Sequence, residues 1–401
     1  MNTRPPRSLG ELLSASGLSA GLSGAALVVC DSRRVTTGAL FVALPGHTTA
    51  GHLYVEEAIR RGCSAVVAER GRIDATWPVP GLPVDDPQQA LLALAAAWYG
   101  HPARSLHCIG ITGTNGKTTS TWLIEGLLVQ AGLCCGVIGT VDYRWHDASG
   151  VHVLQKAALT TPDVLTLQAL LRQMVDAGAT HLVMELSSHA LDQGRVGGLA
   201  FDVAVFTNLT RDHLDYHGDM ARYFAAKKRL FTEYLAPGGT AVIDVDAPGD
   251  EQAWGERLAA GLGGIRVLRT GLDPRCDVGA EAIEYGFSGF NCTLRACGER
   301  VPLHSPLVGA YNVRNVLGAV GAGLALNVPL PQICAGIANV RVVPGRLERV
   351  VPKGDSRLFP AVFVDYAHTP DALDNVLRTL RLIRKSGRIV CVFGCGGDRD
   401  K

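Results

Sequence analysis

The sequence predicts an α/β protein of three domains, the central one built on a mostly parallel sheet. Three observations lead there. Near-continuous apolar runs (LHCIGIT, THLVMELSS, DVAVFTNLT, GTAVIDVD) alternate with helical patterns, which implies parallel strands covered on both faces. A glycine-rich loop, GITGTNGKTTS at 110–120, joins one such strand to the next helix. At 401 residues and 47% apolar content, the chain exceeds what one core holds and divides into two or three domains.

Charge argues against two classes of partner. Lys+Arg number 38 against 37 Asp+Glu, a net charge of +1, so nothing attracts nucleic acid or an anionic membrane. The longest apolar run, ALLALAAAWYG, is short of a membrane span, and MNTRPPRSLGELL has arginines without the apolar segment of a secretory signal. The eleven cysteines are scattered, with no paired CxxC, which argues against structural zinc. Several lie in apolar runs as small hydrophobes. These features predict a reduced, cytoplasmic protein.

The elements follow in order. Residues 25–45 read as short strands with turns, then a helix (YVEEAIRRG), a strand (CSAVVAE), a proline-rich patch (TWPVPGLPVDDP) and a helix (QQALLALAAAWYG). HPARS at 101–105 reads as a linker. The second domain, residues 103–343, alternates LHCIGIT, KTTSTWLIEGLLVQAG, CCGVIGTV, VLTLQALLRQMVDAG, THLVMELSS, DVAVFTNLT and GTAVIDVD, adds strands over 264–303 and closes on the helix YNVRNVLGAVGAGLAL. VVPGRLE is the second linker. The third domain, 344–401, reads strand (AVFVDYAH), helix (TPDALDNVLRTLRLIRKSG) and strand (RIVCVFGCGG), which is short for an independent domain.

The loop carries the clearest chemistry. After a strand and before a helix, the backbone N–H groups of Gly113, Thr114, Asn115, Gly116 and Lys117, with Thr118 and Thr119 opening the helix, form an anion cradle. Lys117 would neutralise phosphate charge and the Thr118 hydroxyl would ligate Mg²⁺. The strict pattern wants glycine where Ile111 stands, so the loop is a variant. Glu185, ending HLVMELSS, lies at the carboxyl edge of a neighbouring strand, where nucleotides bind; it reads as a Mg²⁺ ligand or a capping carboxylate.

RDHLDYHGDMARYFAAKK at 211–228 gathers histidines, acids and lysines at the same sheet edge. His213 is a candidate metal ligand; His217 is a ligand or a helix cap. Met220, Phe224, Phe231 and Tyr234 share one helical face with Lys227 in its middle. Periodicity alone leaves Lys227 either snorkelling to solvent or buried.

GTNGKTT, ELSSHALDQGRV, NLTRDHLDYHGDMARYFAAK, GAYNVRN, PGRLE and DYAHTPDAL, in this order, resemble the Mur ligase family, ATP-dependent amide-forming enzymes of peptidoglycan precursor synthesis. The similarity is greatest to the MurE type, which adds the third peptide residue to UDP-N-acetylmuramoyl-L-Ala-D-Glu. It runs from about Asp31 to the last residue. It implies a small N-terminal α/β UDP-binding domain over 1–102, a central P-loop ATPase domain and the start of a Rossmann-like C-terminal ligase domain.

The resemblance also implies roles. Lys117, His213 and a carbamylated Lys227 serve catalysis, and two Mg²⁺ ions are held through Thr118, Glu185, His213 and the Lys227 carbamate. Burial favours the uncharged amine that captures CO₂. Ser32, His47, Thr48 and Thr49 touch UDP. Thr160, Thr161, Ser187, Gln193 and Arg195 hold the UDP-sugar and its peptide. Asn312 reads adenine, Arg346 reaches ATP across the hinge, Asp365 contacts ribose or phosphate, and Arg399 contacts the incoming amino acid. The implied reaction joins a diamino acid, meso-diaminopimelate, to UDP-N-acetylmuramoyl-L-Ala-D-Glu through an acyl phosphate, in a monomer. The DNPR-type motif that reads the diamino acid falls outside this sequence. A chain ending at Lys401 is therefore expected to bind the UDP-substrate without forming tripeptide. A non-catalytic UDP-sugar-binding fragment and a sister ligase, such as folylpolyglutamate synthase, stay open as alternatives.

Overall fold

The computed structural model describes residues 27–45, 50–247, 252–350, 360–367, 370–384 and 386–394. The elements in chain order are β1 (Val28–Val29), β2 (Leu40–Val42), α1 (Val55–Arg60), β3 (Ala65–Glu69), β4 (Gly81–Val84), α2 (Pro87–Trp98), β5 (His107–Thr112), α3 (Lys117–Gln130), β6 (Cys135–Ile138), β7 (Asp142–Asp147), β8 (Gly150–Lys156), α4 (Val164–Asp176), β9 (His181–Glu185), α5 (Ser188–Asp192), β10 (Phe201–Phe206), α6 (Leu214–His217), α7 (Met220–Thr232), β11 (Leu235–Asp244), α8 (Trp254–Ala260), β12 (Arg266–Gly271), β13 (Val278–Gly286), β14 (Gly289–Ala296), β15 (Glu299–Ser305), α9 (Ala310–Ala325), α10 (Leu330–Asn339), β16 (Glu348–Val350), β17 (Val362–Val364) and α11 (Pro370–Ile383).

Two compact units divide the chain. The first contains 1–106, 162–177 and 193–199; the second contains 107–161, 178–192 and 200–401. The sequence grouped α4 with the central strands, but its residues cluster with the N-terminal unit. The residues beyond 344 cluster with the central ones.

In the first unit β1–β4 pair in parallel. Both faces of this sheet are buried, and alternation divides them: Leu40, Val42, Ala65 and Val67 pack with α2 and Val164, while Phe41, Ala43, Val66 and Ala68 pack with α1. Caps set the helix starts. Asp86 accepts from the amides of Gln88 and Gln89, and Asp163 from those of Leu165 and Thr166. The proline-rich patch hides β4, and HPARS forms a 3₁₀ turn over Pro102–Ser105.

The second unit holds an 11-stranded sheet in the order β15-β14-β13-β12-β11-β10-β5-β9-β6-β7-β8. Its middle, β13 to β6, is parallel. Antiparallel strands finish both edges: β14 and β15 on one side, and the hairpin β7–β8, which the sequence reading missed, on the other. The core continues through α3, α9 and α10. α3 and α10 approach closely because Gly126 faces Val340 and Gly336 faces the Leu127 backbone; a Cβ at either would lie 2.5 Å or 2.4 Å from its neighbour.

Two expectations need correction. RIVCVFGCGG was read as a strand, yet described residues 388–394 carry no strand, and Val390, Val392 and Phe393 are exposed. A strand needs a hydrogen-bonded neighbour, and among the described residues β17 pairs only with β16. The buried face of α7 is also rotated: Tyr223, Ala226, Lys227, Leu230 and Phe231 face inward, and Met220 and Phe224 are half-buried. Tyr234 lies past the helix end.

Candidate active site

β5 is buried along nearly its whole length and delivers Thr112 to the carboxyl edge of the sheet. The chain then turns through Gly113 (φ 147°) and Gly116 (φ 88°) into α3. Both positions require glycine. A Cβ at Gly113 would lie 1.9 Å from Thr207 Oγ1, and one at Gly116 2.3 Å from Asn315 Oδ1. The polar segment after β10 pins this loop. The Thr114 amide donates to the Asn208 carbonyl (3.0 Å) and the Asn115 amide to Asn208 Oδ1 (2.9 Å). Thr207 Oγ1 donates to the Asn115 carbonyl at 2.6 Å. The sequence reading assigned no role to Thr207 or Asn208; their signal was the polar TNLT run directly after an apolar strand. No side chain caps α3 at Gly116, so its first-turn N–H groups and its dipole are open to an anion.

Lys117 folds back on the loop. Its Nζ donates to the carbonyls of Gly113 and Thr114, each at 2.9 Å. Lys227 reaches the same loop from α7, its Nζ donating to the same Gly113 carbonyl at 2.8 Å and lying 4.6 Å from the Tyr223 ring centre. Lys227 is 1% exposed. Burial, reinforced by the Lys117 charge, holds its pKa well below the ordinary lysine value. Burial lowers Lys117 too, with Glu185 opposing. The buried alternative for Lys227 is therefore the one adopted.

Glu185 gathers hydroxyls. Its Oε2 accepts from Thr118 Oγ1 (3.0 Å) and Thr140 Oγ1 (2.9 Å), and its Oε1 from the Thr140 amide (2.9 Å). Thr160 Oγ1 lies 3.2 Å from that of Thr140. Arg346 Nη2 donates to Thr118 Oγ1 at 3.2 Å. Thr140, unassigned from the sequence, is held in place by β7. On one face of that strand Arg144 forms a two-bond pair with Glu125 of α3 (3.0 and 2.5 Å) and meets Asp142. On the other face Tyr143 Oη donates to the Leu159 carbonyl at 2.6 Å, beside Thr160.

This cluster fits Mg²⁺. Among the described residues no group of three or more His, Cys, Asp or Glu side chains could hold a metal. One carboxylate and three hydroxyls instead offer hard oxygens, as suits an ion that keeps water and substrate phosphate in its shell. Glu185, Thr118, Lys117 and His213 line one cavity of about 340 Å³. His213 is exposed, in a left-handed conformation (φ 52°) ahead of α6, and its Nε2 lies 3.4 Å from Asp212 Oδ2. Partial desolvation of its ring, opposed by Asp212 and aided by the nearby His189 and Lys227, lowers its pKa from the ordinary histidine value. His217 caps nothing: it is buried with Nε2 2.9 Å from Ser188 Oγ.

Family models match three consecutive stretches: the Mur ligase family catalytic domain at 25–99, the Mur ligase middle domain at 111–323 and the Mur ligase glutamate ligase domain at 345–401. A curated relative from Geobacter metallireducens, a UDP-N-acetylmuramoyl-L-alanyl-D-glutamate–2,6-diaminopimelate ligase, is 48% identical over 93% of this chain and 70% of its own length. The chain belongs to the Mur ligase family. A solved structure of a ligase of that same description superimposes with a TM-score of 0.75 at 30% identity, covering 99% of this chain and 78% of the other. The MurF structure from Acinetobacter baumannii, 22% identical with a TM-score of 0.65 over 95% and 77% of the two chains, shares the fold. The three-domain α/β Mur ligase architecture is thus the fold of this chain.

The Mur ligase residues expected from the sequence fall into groups. Ser32 is in the first unit, its hydroxyl donating to Glu57 Oε2 at 2.8 Å; Gln193 and Arg195 belong to the same unit. Thr160, Thr161 and Ser187 belong to the second. Thr161 donates to the Glu185 carbonyl (2.8 Å) and accepts from the Ser187 amide (3.1 Å), so it braces the end of β9. Asn312 is buried, with Nδ2 on the Val308 carbonyl (2.8 Å) and Oδ1 on Asn315 Nδ2 (2.9 Å). Asp365 lines the cavity and accepts from the amides of Leu347 (2.7 Å) and Ala367 (2.8 Å). His47, Thr48, Thr49 and Arg399 lie outside the described residues.

Proposed function

We propose that this Mur ligase is the ATP-dependent enzyme that joins diaminopimelate to UDP-N-acetylmuramoyl-L-Ala-D-Glu in peptidoglycan precursor synthesis. The observation that carries the reading is the single cavity in which the loop lysine, the Glu185 hydroxyl cluster, His213 and Arg346 meet. The names of the relatives supply the substrate.

The glutamyl carboxylate attacks the γ-phosphate of ATP, giving an acyl phosphate and ADP. The amine of the diamino acid then attacks the acyl carbon, and phosphate leaves. The α3 N-terminus and loop amides hold the phosphates, and Lys117 turns from its carbonyls to the transferring phosphoryl group. Arg346, within reach of Thr118, adds a second cation. Glu185, Thr118 and His213 would hold Mg²⁺, with Lys227 as its carbamate completing the set. Bound there, Mg²⁺ neutralises charge on the phosphate oxygens. The protein's own share is positioning and fixed electrostatics.

Ser32 and the 47–49 turn serve the uridine nucleotide. Thr160, Ser187, Gln193 and Arg195 serve the sugar and peptide. Asn312 and Asp365 serve ATP and Arg399 the amino acid. The protein acts as a monomer in the cytoplasm; its ten described cysteines are free, as in a reducing compartment.

Phosphate release from ATP by the 401-residue chain, with and without UDP-N-acetylmuramoyl-L-Ala-D-Glu, tests this. Release that depends on the UDP-substrate is expected. Release indifferent to it contradicts the reading.

A further inference from the structure

A second cavity, of about 270 Å³, lies wholly within the first unit and shares no lining residue with the Lys117 cavity. The sequence of α2 accounts for one wall. Ala90, Leu91, Leu94 and Ala97 pack into the core. Gln89, Leu92, Ala93 and Ala96 fall at i, i+3, i+4 and i+7, so they form one stripe of the helix, and that stripe lines the cavity. The 193–199 turn closes against the same helix. A Cβ at Gly197 would lie 2.3 Å from Leu92 Cδ1, and Gly198 faces the space. α4 contributes Gln168, and the 3₁₀ turn after α2 contributes Arg104.

Gln168 is 1% exposed, yet its Oε1 meets no hydrogen-bond donor among the described residues. Its neighbours Leu167, Leu170 and Leu171 on α4 are buried and apolar. Burying an amide without a partner costs free energy that a leucine here would avoid. Arg104 is exposed and forms no ion pair among the described residues. No carboxylate lines the cavity. The walls thus combine one cation, one buried acceptor and an aliphatic stripe. Each has a chemical complement: a carboxylate for the guanidinium, an N–H or O–H for Oε1, and a short alkyl group for Leu92, Ala93 and Ala96.

We infer that this cavity binds a small organic carboxylate with an N–H or O–H donor beside its acid group, the chemistry shared by α-amino and α-hydroxy acids. The carboxylate pairs with Arg104, the donor satisfies Gln168 Oε1, and the alkyl part covers the α2 stripe. None of these residues has a part in the proposed amide-forming reaction, so the site is separate from the ligase chemistry.

Calorimetric titration of the full chain with L-alanine, L-lactate, propionate and inorganic phosphate tests this, with melting temperature and ATP affinity as controls. Alanine or lactate should bind about tenfold more tightly than propionate, which lacks the donor. The tighter of the two identifies the donor as nitrogen or oxygen. Gln168→Leu should keep or raise the melting temperature and bring all three carboxylates to the affinity of propionate. Arg104→Gln, at an exposed position, should weaken all three by about tenfold. Propionate equal to both in wild type overturns the inference, as does phosphate binding more tightly than any carboxylate. Binding unchanged in Gln168→Leu would show that solvent alone satisfies the amide, and overturns it too. So does the absence of saturable heat from every probe at about 10 mM, where a millimolar site is filled. Should Gln168→Leu fail to fold, the propionate comparison in wild type decides. ATP affinity is expected to stay the same throughout, so failure here leaves the ligase reading intact.

Discussion

Lys117 and Lys227 donate to the same oxygen, the Gly113 carbonyl, at 2.9 and 2.8 Å. Two ammonium groups converging on one carbonyl repel, and the buried one yields its proton more readily. Lys227, reinforced in that direction by Lys117, is the partner that loses its proton more readily.

Lys227→Met should therefore stabilise the fold in CO₂-free buffer at neutral pH. The folded-state pKa of Lys227 lies well below its ordinary value of 10.5. The unfolded chain then binds more protons between the two values, and stability rises with pH across that window. The variant escapes this penalty, so its melting temperature should exceed wild type by a few degrees, roughly. The gap should close as pH climbs toward 10.5. A gap independent of pH from 7 to 10 would speak against a depressed lysine. The same variant should lose turnover, and Lys227→Ala should regain part of it with added short carboxylates.

Glu185→Gln should raise the Mg²⁺ concentration needed for half-maximal ATP turnover by about 10–100-fold, because the carboxylate binding Thr118 and Thr140 loses its charge. A magnesium titration at saturating ATP reads this directly. An unchanged half-point would place the metal elsewhere.

Arg144→Met should destabilise strongly. Arg144 and Glu125 are 1% and 3% exposed, and losing one partner strands the other charge at a cost of about 3–5 kcal/mol. Adding Glu125→Leu should recover much of the lost melting temperature. Equal melting temperatures for the single and double variants would show that packing, not charge, sets the loss.

Gly116→Ala should abolish ATP binding and lower stability by about 1–3 kcal/mol. The left-handed φ of 88° and the Asn315 contact both oppose a Cβ. Calorimetric titration with ATP and a thermal melt check it; wild-type affinity would exclude the loop as the phosphate cradle.

What was legible in the sequence follows from what holds each part together. β5, α3 and Lys117 could be read because GTNGKTT follows an uninterrupted apolar run. The β7–β8 hairpin could not: in DYRWHDASGVHVLQK the alternating Val151 and Val153 are exposed, while the charged Arg144 is buried against Glu125 and Asp142. With the hairpin went Thr140, which lies between β6 and β7 and bonds to Glu185. RIVCVFG misled in the other direction, because apolar composition makes a strand only where a neighbour offers its hydrogen bonds. Lys227 sat between these cases. Periodicity put it on an inward face, but only its contact with Gly113 shows the burial.

Trapping the activated carboxylate tests the central claim most directly. The chain is incubated with ATP, Mg²⁺, UDP-N-acetylmuramoyl-L-Ala-D-Glu and hydroxylamine, beside a folded Lys117→Ala control. Mass spectrometry then follows the UDP-dipeptide. Hydroxamate forming together with ADP in wild type, and neither in Lys117→Ala, is the predicted result. ADP without hydroxamate, or equal hydroxamate in both proteins, would contradict acyl-phosphate formation at this loop.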